Sequence, residues 1–263
     1  MDYHAAGDRF SPLASEIQAR TRDIDWTLAH FSFVANVTTL APECDIAASP
    51  VMSVASCRSM PKMALAFIGE SAELLSTYAT FLADPGSEVD LLVNEEQRDV
   101  VAAAFDVVSV RSKWQLVYRG DRATLNKGRA SQLAGHDVGA LQALARTEKV
   151  TLNVVSPDPL QYGPAFGIWE RRKLVAMGTT MLSIPGAAQI DNVVTRHDYP
   201  HAVLGAEVVS ALVLAHQAEG RRVFTVVNQD DASALALFEA LEFRCERPMY
   251  LMTCVLRQAV QTR

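Results

Sequence analysis

Few residues in this sequence of 263 advertise a chemistry, and the absences narrow the field. There is no G-x-G-x-x-G fingerprint, no G-x-x-x-x-G-K-[ST] loop and no G-x-S-x-G elbow, which sets aside the common dinucleotide, nucleoside-triphosphate and serine-hydrolase motifs. Cysteine is sparse: Cys44, Cys57, Cys245 and Cys254 form no C-x-x-C pair, so neither a zinc site nor a disulfide framework is indicated. Excess positive charge is lacking too. The net charge is −6, and the clusters Arg171–Lys173 and Arg221–Arg222 are too short to make a basic face, so no nucleic-acid partner is expected. No apolar run reaches the roughly 18 residues of a membrane span. The best candidate, Val203–Ala215, is interrupted by Glu207. The opening MDYHAAGDRF lacks the layout of a signal peptide. A soluble cytoplasmic protein with reduced thiols and no membrane partner is the expectation. His197 and His201, with Asp198 between them, have metal-like spacing. Pro200 interrupts any helix there and no glutamate follows the first histidine, so no metal is expected. The three tryptophans, Trp26, Trp114 and Trp169, read as core or interface residues rather than stacking platforms.

What is present is apolar material in periodic order. Hydrophobic residues make up 49% of the chain, enough for one large core or two. Ile17, Ile24, Leu28 and Phe31 predict a helix over 11–33, with Pro12 in its first turn. A strand over 63–70, a helix over 73–82, a strand over 88–94, a helix over 95–105 and a strand over 107–120 follow, the alternation of a layered α/β unit. The polar stretch 120–135 predicts a domain boundary, giving domains 1–120 and 121–263. Asp137 opens a helix to about Glu148. Three antiparallel strands are expected at 165–169, 173–183 and 187–195, split by ERRK and by Pro185–Gly186. A turn at 196–200 then leads into a helix with Val203, Val208, Leu212 and Ala215 on its buried side. A strand over 221–228, a helix over 231–241 capped by Asp230 or Asp231, and a strand over 249–256 complete the chain. No sequence repeat is visible. Cys245 and Cys254, near or on the last strands, are expected to pack in the core.

This order, with these residues, resembles the C-terminal core of the GNAT superfamily of acyl-CoA N-acyltransferases over about residues 136–256. GIWERRKLVAMGTT is similar to the family's charged-turn hairpin. AAQIDNVVTRHDYPHAVLGAEVVSALV is similar to its fourth strand, pyrophosphate loop and helix, and VFTVVNQDDASALALFEALEF to its fifth strand and following helix. The match is specific as a combination, in order and at the right spacing. The resemblance implies an α/β (α+β) fold, a central mixed, mostly antiparallel sheet flanked by helices, in the C-terminal half. LLVNEEQRDVVAAAF and KWQLVYRGD resemble the segment preceding the core in two-domain members, so the N-terminal α/β domain reads as a degenerate GNAT-like copy.

The resemblance also implies a site. Acetyl-CoA or another acyl-CoA is the implied cosubstrate. It lies in a splay between the fourth and fifth strands, with its pantetheine paired to the backbone of Asn192, Val193, Val194 and Thr195 like an added strand. The pyrophosphate is implied to rest on N–H groups of His201, Ala202, Val203, Leu204, Gly205 and Ala206 where the next helix begins. Gly205 matches the last glycine of the family loop. Pro200 stands where a basic or amide residue is usual, and Val203 where the first glycine is usual. A lost charge-assisted hydrogen bond to phosphate costs on the order of 1.5–3 kcal/mol, one or two decades of affinity. Asn228, Asp231, Ala234 and Phe238 are the implied cofactor-side residues of the second motif. Phe238 replaces the tyrosine that acts as general acid in many members and has no proton to give. A backbone N–H near Val194 is expected to polarise the thioester, and Asp191, or a water beside it, to take the amine proton. The implied acceptor is a primary amine on a small molecule or peptide, and the reading leaves room for a homodimer. The rival reading is a catalytically silent GNAT-fold protein that binds a ligand or partner, favoured by Pro200, Val203 and Phe238.

Overall fold

The computed structural model describes residues 2–4, 44–49, 51–58, 62–84, 86–152, 158–184 and 186–256. The helix expected over 11–33 lies outside them. The described chain forms two compact units: one holds the residues up to Lys113 together with those from Pro248 onward, the other Trp114–Arg247. The expected cut near residue 120 followed the polar loop. The division instead falls inside two long strands, β6 (Asp106–Tyr118) and β12 (Phe243–Val255).

In the first unit, β1 (Asp2–His4), β2 (Cys44–Ala48), β3 (Ser53–Cys57) and β4 (Met63–Ile68) pair antiparallel in sequence order. β4 then pairs parallel with β5 (Glu88–Val93) through Met63–Leu65 against Val89–Leu91. The crossover is α1 (Ala72–Leu82), started by Ser71, whose hydroxyl accepts the Leu74 N–H at 3.2 Å. α2 (Glu95–Ala104) is started by a reciprocal capping box between Asn94 and Gln97. Tyr250–Val255 of β12 pairs antiparallel with Val93–Glu88, so Met252 and Cys254 enter a core with Leu75, Leu82, Leu91 and Phe105.

In the second unit, β7 (Ser131–Gln132), β8 (Phe166–Glu170), β9 (Lys173–Ile184) and β10 (Ala187–Thr195) form an antiparallel meander. The charged turn Arg171–Arg172 takes positive φ at both residues, as a two-residue hairpin demands. β10 pairs parallel with β11 (Arg222–Asn228) across α4 (His201–Ala218). α3 (Val138–Thr147) precedes the meander and α5 (Ala232–Ala240) follows β11. α4 is long and apolar enough to cross a membrane by length and composition. Here Leu204, Val208, Val209, Leu212 and Val213 are buried in the core with Val175, Ile190 and Phe243. The polar loop expected to be a linker is tied to α4 instead. Glu207 accepts the Arg129 N–H at 2.8 Å, and Arg129 Nη1 donates to Glu170 at 2.8 Å.

The two units repeat one plan. β2–β3–β4–α1–β5–α2 and β8–β9–β10–α4–β11–α5 have the same element order and the same strand directions. The predicted elements from 63 to 256 are present with ends shifted by a few residues, except that the strand expected from 249 begins at Phe243. β2 and β3 were not anticipated. Val54, Ala55, Ser56 and Cys57 are all buried, so β3 carries small residues with no apolar–polar alternation to read. Cys254 is buried as expected, but Cys245 is exposed on the outer stretch of β12.

Candidate functional site

The second unit builds its site from β10, β11 and the helix starts that follow them. β10 and β11 pair only through Ala187–Gln189 against Arg222–Phe224. Both strands continue, to Thr195 and to Asn228, without pairing to each other, so a wedge opens between them. The separation coincides with irregularity on the other edge of β10. Its pairing with β9 shifts between Gln189 and Ile190 and again between Asp191 and Val194. Asn192 lies there in the left-handed region, φ +53°, a conformation asparagine tolerates better than most residues. Bulges of this kind add twist and turn a strand away from its neighbour.

The side chains at the bulge face inward. Asn192 is buried, and its Nδ2 donates to Thr179 Oγ1 at 2.8 Å. Asp191 Oδ1 accepts the Asn192 N–H at 2.7 Å. Val193 packs with the core on the α4 side, whereas Val194 is buried with Leu141 and Leu144 of α3 on the other face. Past the bulge the direction of the backbone donors can be deduced. The Arg196 N–H bonds Val175 O at 2.9 Å, and Thr195 is the partner of Ala176. Antiparallel alternation therefore turns the N–H and C=O of Thr195 away from β9, toward the wedge. Val194, whose donor was the expected one, has the opposite phase and points to β9.

The turn at 196–200 is held by its own charges. The Arg196 guanidinium grips Asp198 with Nε and Nη2, both at 2.9 Å, and lies 5.9 Å from the Tyr199 ring centroid. The hydrogen bond from Arg196 holds the Asp198 carboxyl below its ordinary range. His197 donates its N–H to Glu148 Oε2 at 3.1 Å, and its Nδ1 lies 3.2 Å from Oε1. This fastens the turn to the end of α3. α4 then starts at His201 after Pro200, which supplies no side-chain cap. Its first helical hydrogen bond runs from Leu204 N–H to Pro200 O at 3.1 Å. The N–H groups of His201, Ala202 and Val203 precede it and have no helical acceptor. α1, α2 and α5 differ: Ser71, Asn94 and Asp231 each accept a first-turn N–H.

The remaining sequence candidates fall into distinct places. His201, Ala202 and Val203 are exposed, and Val203 keeps 55% of its surface, so its side chain stands in solvent rather than across the wedge. Leu204 is buried, Ala206 half-buried. Gly205 lies in the second turn, where an added Cβ would come 3.0 Å from Leu237 Cδ2 of α5. Its lack of a side chain serves close helix packing. Asn228 ends β11, its carbonyl accepting the Asp231 N–H at 3.2 Å. Asp231 Oδ1 accepts the Ala234 N–H at 3.0 Å, so this carboxylate is committed to capping α5. Ala234 is half-buried against the core. Phe238 is buried, edge to face with Phe243 at 5.0 Å, and Tyr118 also meets Phe243 edge to face, at 5.4 Å. Thr179 and Arg196 escaped the sequence reading, and Glu148 and Asp198 entered it only as a helix end and as a residue between two histidines. The polar pair in GTTM, inside an otherwise apolar strand, was the available signal for Thr179.

No protein-family profile and no curated protein sequence matches this chain. Solved structures do. A GNAT-family protein from Novosphingobium aromaticivorans DSM 12444 is 22% identical and superposes with TM-score 0.63, covering 81% of this chain and 92% of its own. A GCN5-related N-acetyltransferase-like protein from Streptococcus suis 89/1591 is 15% identical, TM-score 0.59, over 91% and 99%. A tandem GNAT protein from the clavulanic acid biosynthesis pathway is 13% identical, TM-score 0.67, over 98% of both chains. The fold is the GNAT fold. Likeness to a tandem protein over nearly the whole length agrees with the repeated plan of the two units. Within the GNAT fold, the wedge leaves the backbone groups of Thr195 turned from β9 and lies just before the uncapped start of α4, the positive end of its dipole.

Proposed function

We propose that the protein is an acyl-CoA-dependent N-acyltransferase that carries an acyl group, acetyl in the first instance, to a primary amine on a small molecule or peptide. One observation carries the reading: β10 and β11 part after three residue pairs, immediately before a helix that begins without a side-chain cap. A pantetheine arm has amides to pair with the exposed β10 edge, and a diphosphate suits the orphan N–H groups of His201, Ala202 and Val203. The first unit lacks this second feature. Ser71 already fills the start of α1, and Glu70 precedes it with a negative charge. The chemistry is therefore assigned to the second unit.

In the reaction the amine nitrogen attacks the thioester carbonyl carbon, the C–S bond breaks, and CoA departs as thiolate. The outward Thr195 N–H is placed to orient the acyl donor and to favour negative charge on its carbonyl oxygen. Phe238 supplies no proton, so solvent water takes the proton that the amine nitrogen sheds as the amide forms and returns one to the thiolate, while Phe238 stays packed in the core against Phe243. The proposal carries with it a cytoplasmic location, no resident metal, and neither nucleic acid nor membrane as partner; a homodimer is compatible with it.

The second reading, a silent binding module, is favoured by the same Phe238 and by Arg196, whose guanidinium is already paired with Asp198. Calorimetric titration of the full chain with acetyl-CoA and CoA decides whether the groove takes the cosubstrate. A thiol-release assay over a panel of amines then separates the two readings. Saturable binding with turnover is the expected result; binding without turnover across the panel selects the silent module, and absence of binding rejects both the cosubstrate and the transferase.

A further inference from the structure

The bulge in β10 has a feature that the proposed chemistry does not use. Between the pairs Asp191↔Thr179 and Val194↔Met177, β10 has two residues, Asn192 and Val193, facing the single Gly178 of β9. Gly178 also lies directly under Val208 and Leu212 of α4. An added Cβ would lie 2.8 Å from Val208 Cγ1 and 2.9 Å from Leu212 Cδ1. The bulge and the helix that starts at His201 therefore press on the same point. Three hydrogen bonds surround it: Asn192 Nδ2 to Thr179 Oγ1 at 2.8 Å, Asn192 N–H to Asp191 Oδ1 at 2.7 Å, and Thr179 Oγ1 to Asp191 O at 3.4 Å. Thr179 and Asn192 are both buried.

From this geometry we infer that Thr179, Asp191 and Asn192 form a side-chain lock that sets the bend of β10, and that Asp191 is a positioning residue rather than the base expected from sequence. The inference rests on the reading of β10 as the strand that holds the acyl-CoA. A carboxylate whose oxygen accepts the next residue's N–H fixes the ψ of its own residue, and so the peptide plane that enters Asn192, where the left-handed φ marks the bulge. The Asn192 amide then ties the turned residue to the neighbouring strand. Removing any of the three contacts lets β10 relax toward regular pairing and narrows the wedge. An amide in place of the carboxylate retains the accepting oxygen. Asparagine at 191 therefore keeps the lock, whereas alanine does not.

The test uses full-length Thr179→Val, Asn192→Gly, Asp191→Ala and Asp191→Asn. Glycine at 192 admits positive φ, so its effect isolates the side-chain bond. Two readouts are needed: amide hydrogen exchange across Ile190–Thr195 without ligand, and the acetyl-CoA Kd. Thr179→Val, Asn192→Gly and Asp191→Ala are expected to speed exchange there and weaken acetyl-CoA by about tenfold, the loss of roughly one buried hydrogen bond. Asp191→Asn is expected to stay within about twofold of the parent in exchange and Kd, with a pH–rate profile of unshifted shape, since a carboxylate-to-amide change keeps the acceptor. Unchanged exchange in Thr179→Val and Asn192→Gly overturns the lock. Abolished turnover in Asp191→Asn with normal exchange and normal Kd makes Asp191 the base after all. Should the parent protein bind no acetyl-CoA, the transferase reading fails, and exchange alone still decides the lock.

Discussion

His216, near the end of α4, is buried with its Nε2 2.8 Å from Thr180 Oγ1. The hydroxyl proton of Thr180 is given to Pro164 O at 2.7 Å, so the ring donates from Nε2, and its Nδ1 is buried without a partner among the described residues. Burial, with the charge of Arg221 adding to it, pushes the His216 pKa down to about 4. The unfolded chain takes up this proton near pH 6.5 and the folded chain only near 4. Stability from this group is thus complete above pH 6.5 and falls as pH drops toward 4, by about 3 kcal/mol in all. Urea unfolding of the parent and of His216→Gln at pH 7 and pH 4.5 checks this; the acid-side loss should shrink in the variant. Gly178 makes a second residue-scale prediction. Gly178→Ala drives a methyl into Val208 and Leu212 and should cost about 1–3 kcal/mol. Gly139→Ala in α3, where an added Cβ meets nothing, should gain about 0.5 kcal/mol by the same denaturation measurement. Neither partner set is local. His216 reads in sequence as one more residue of an apolar helix, and Gly178 as a weak spot in a strand, because Thr180, Val208 and Leu212 reach them only across the sheet.

At the scale of the element, α4 is the informative case. Its start was legible: a polar corner, a proline and then an apolar period. What the corner does depends on the missing cap. Pro200→Asp supplies one, accepting an N–H of the first turn and adding negative charge at the positive end of the helix dipole, which is worth about 1 kcal/mol of stability. The same carboxylate occupies the place proposed for the diphosphate. The melting temperature is therefore expected to rise and the acetyl-CoA affinity to fall by more than about tenfold, since a charge-assisted contact is replaced by a repulsion. A melt with and without acetyl-CoA reads both; a rise with unaltered affinity places the phosphate elsewhere. The meander was legible because Arg171–Arg172 and Gly186 interrupt apolar runs with turn chemistry. β2 and β3 were not, since buried small residues give no period. Gly205 was legible as the last glycine of the family loop, yet its neighbour is Leu237, and helix packing accounts for it.

For the whole molecule, the chain order and the compact units disagree. The first unit needs the last strand among the described residues: Met252, Cys254 and Leu256 are buried in its core, and Thr253 Oγ1 donates to Asp90 Oδ1 at 2.6 Å. A chain ended after Arg247 should therefore lose the first unit's protection from proteolysis, while full-length protein under the same digestion keeps it. Survival of 62–113 as a resistant fragment in the shortened protein contradicts the pairing of β12 with β5. Burial pushes the Cys254 thiol up to about 11, which agrees with a strand sealed inside that core.

Sequence by itself determined the element order from residue 63 onward, most helix starts and much of the apolar core, because periodicity, capping and turn chemistry act over a few residues. The family resemblance already implied a second copy and a splay after the fourth strand; tertiary structure alone decided that β12 completes the first unit, where β10 and β11 part, and that Asn192 turns left-handed. Each of these depends on hydrogen bonds and packing between residues distant along the chain, Tyr250 with Val93 or Asn192 with Thr179, and no local pattern records which distant partner a backbone group will find.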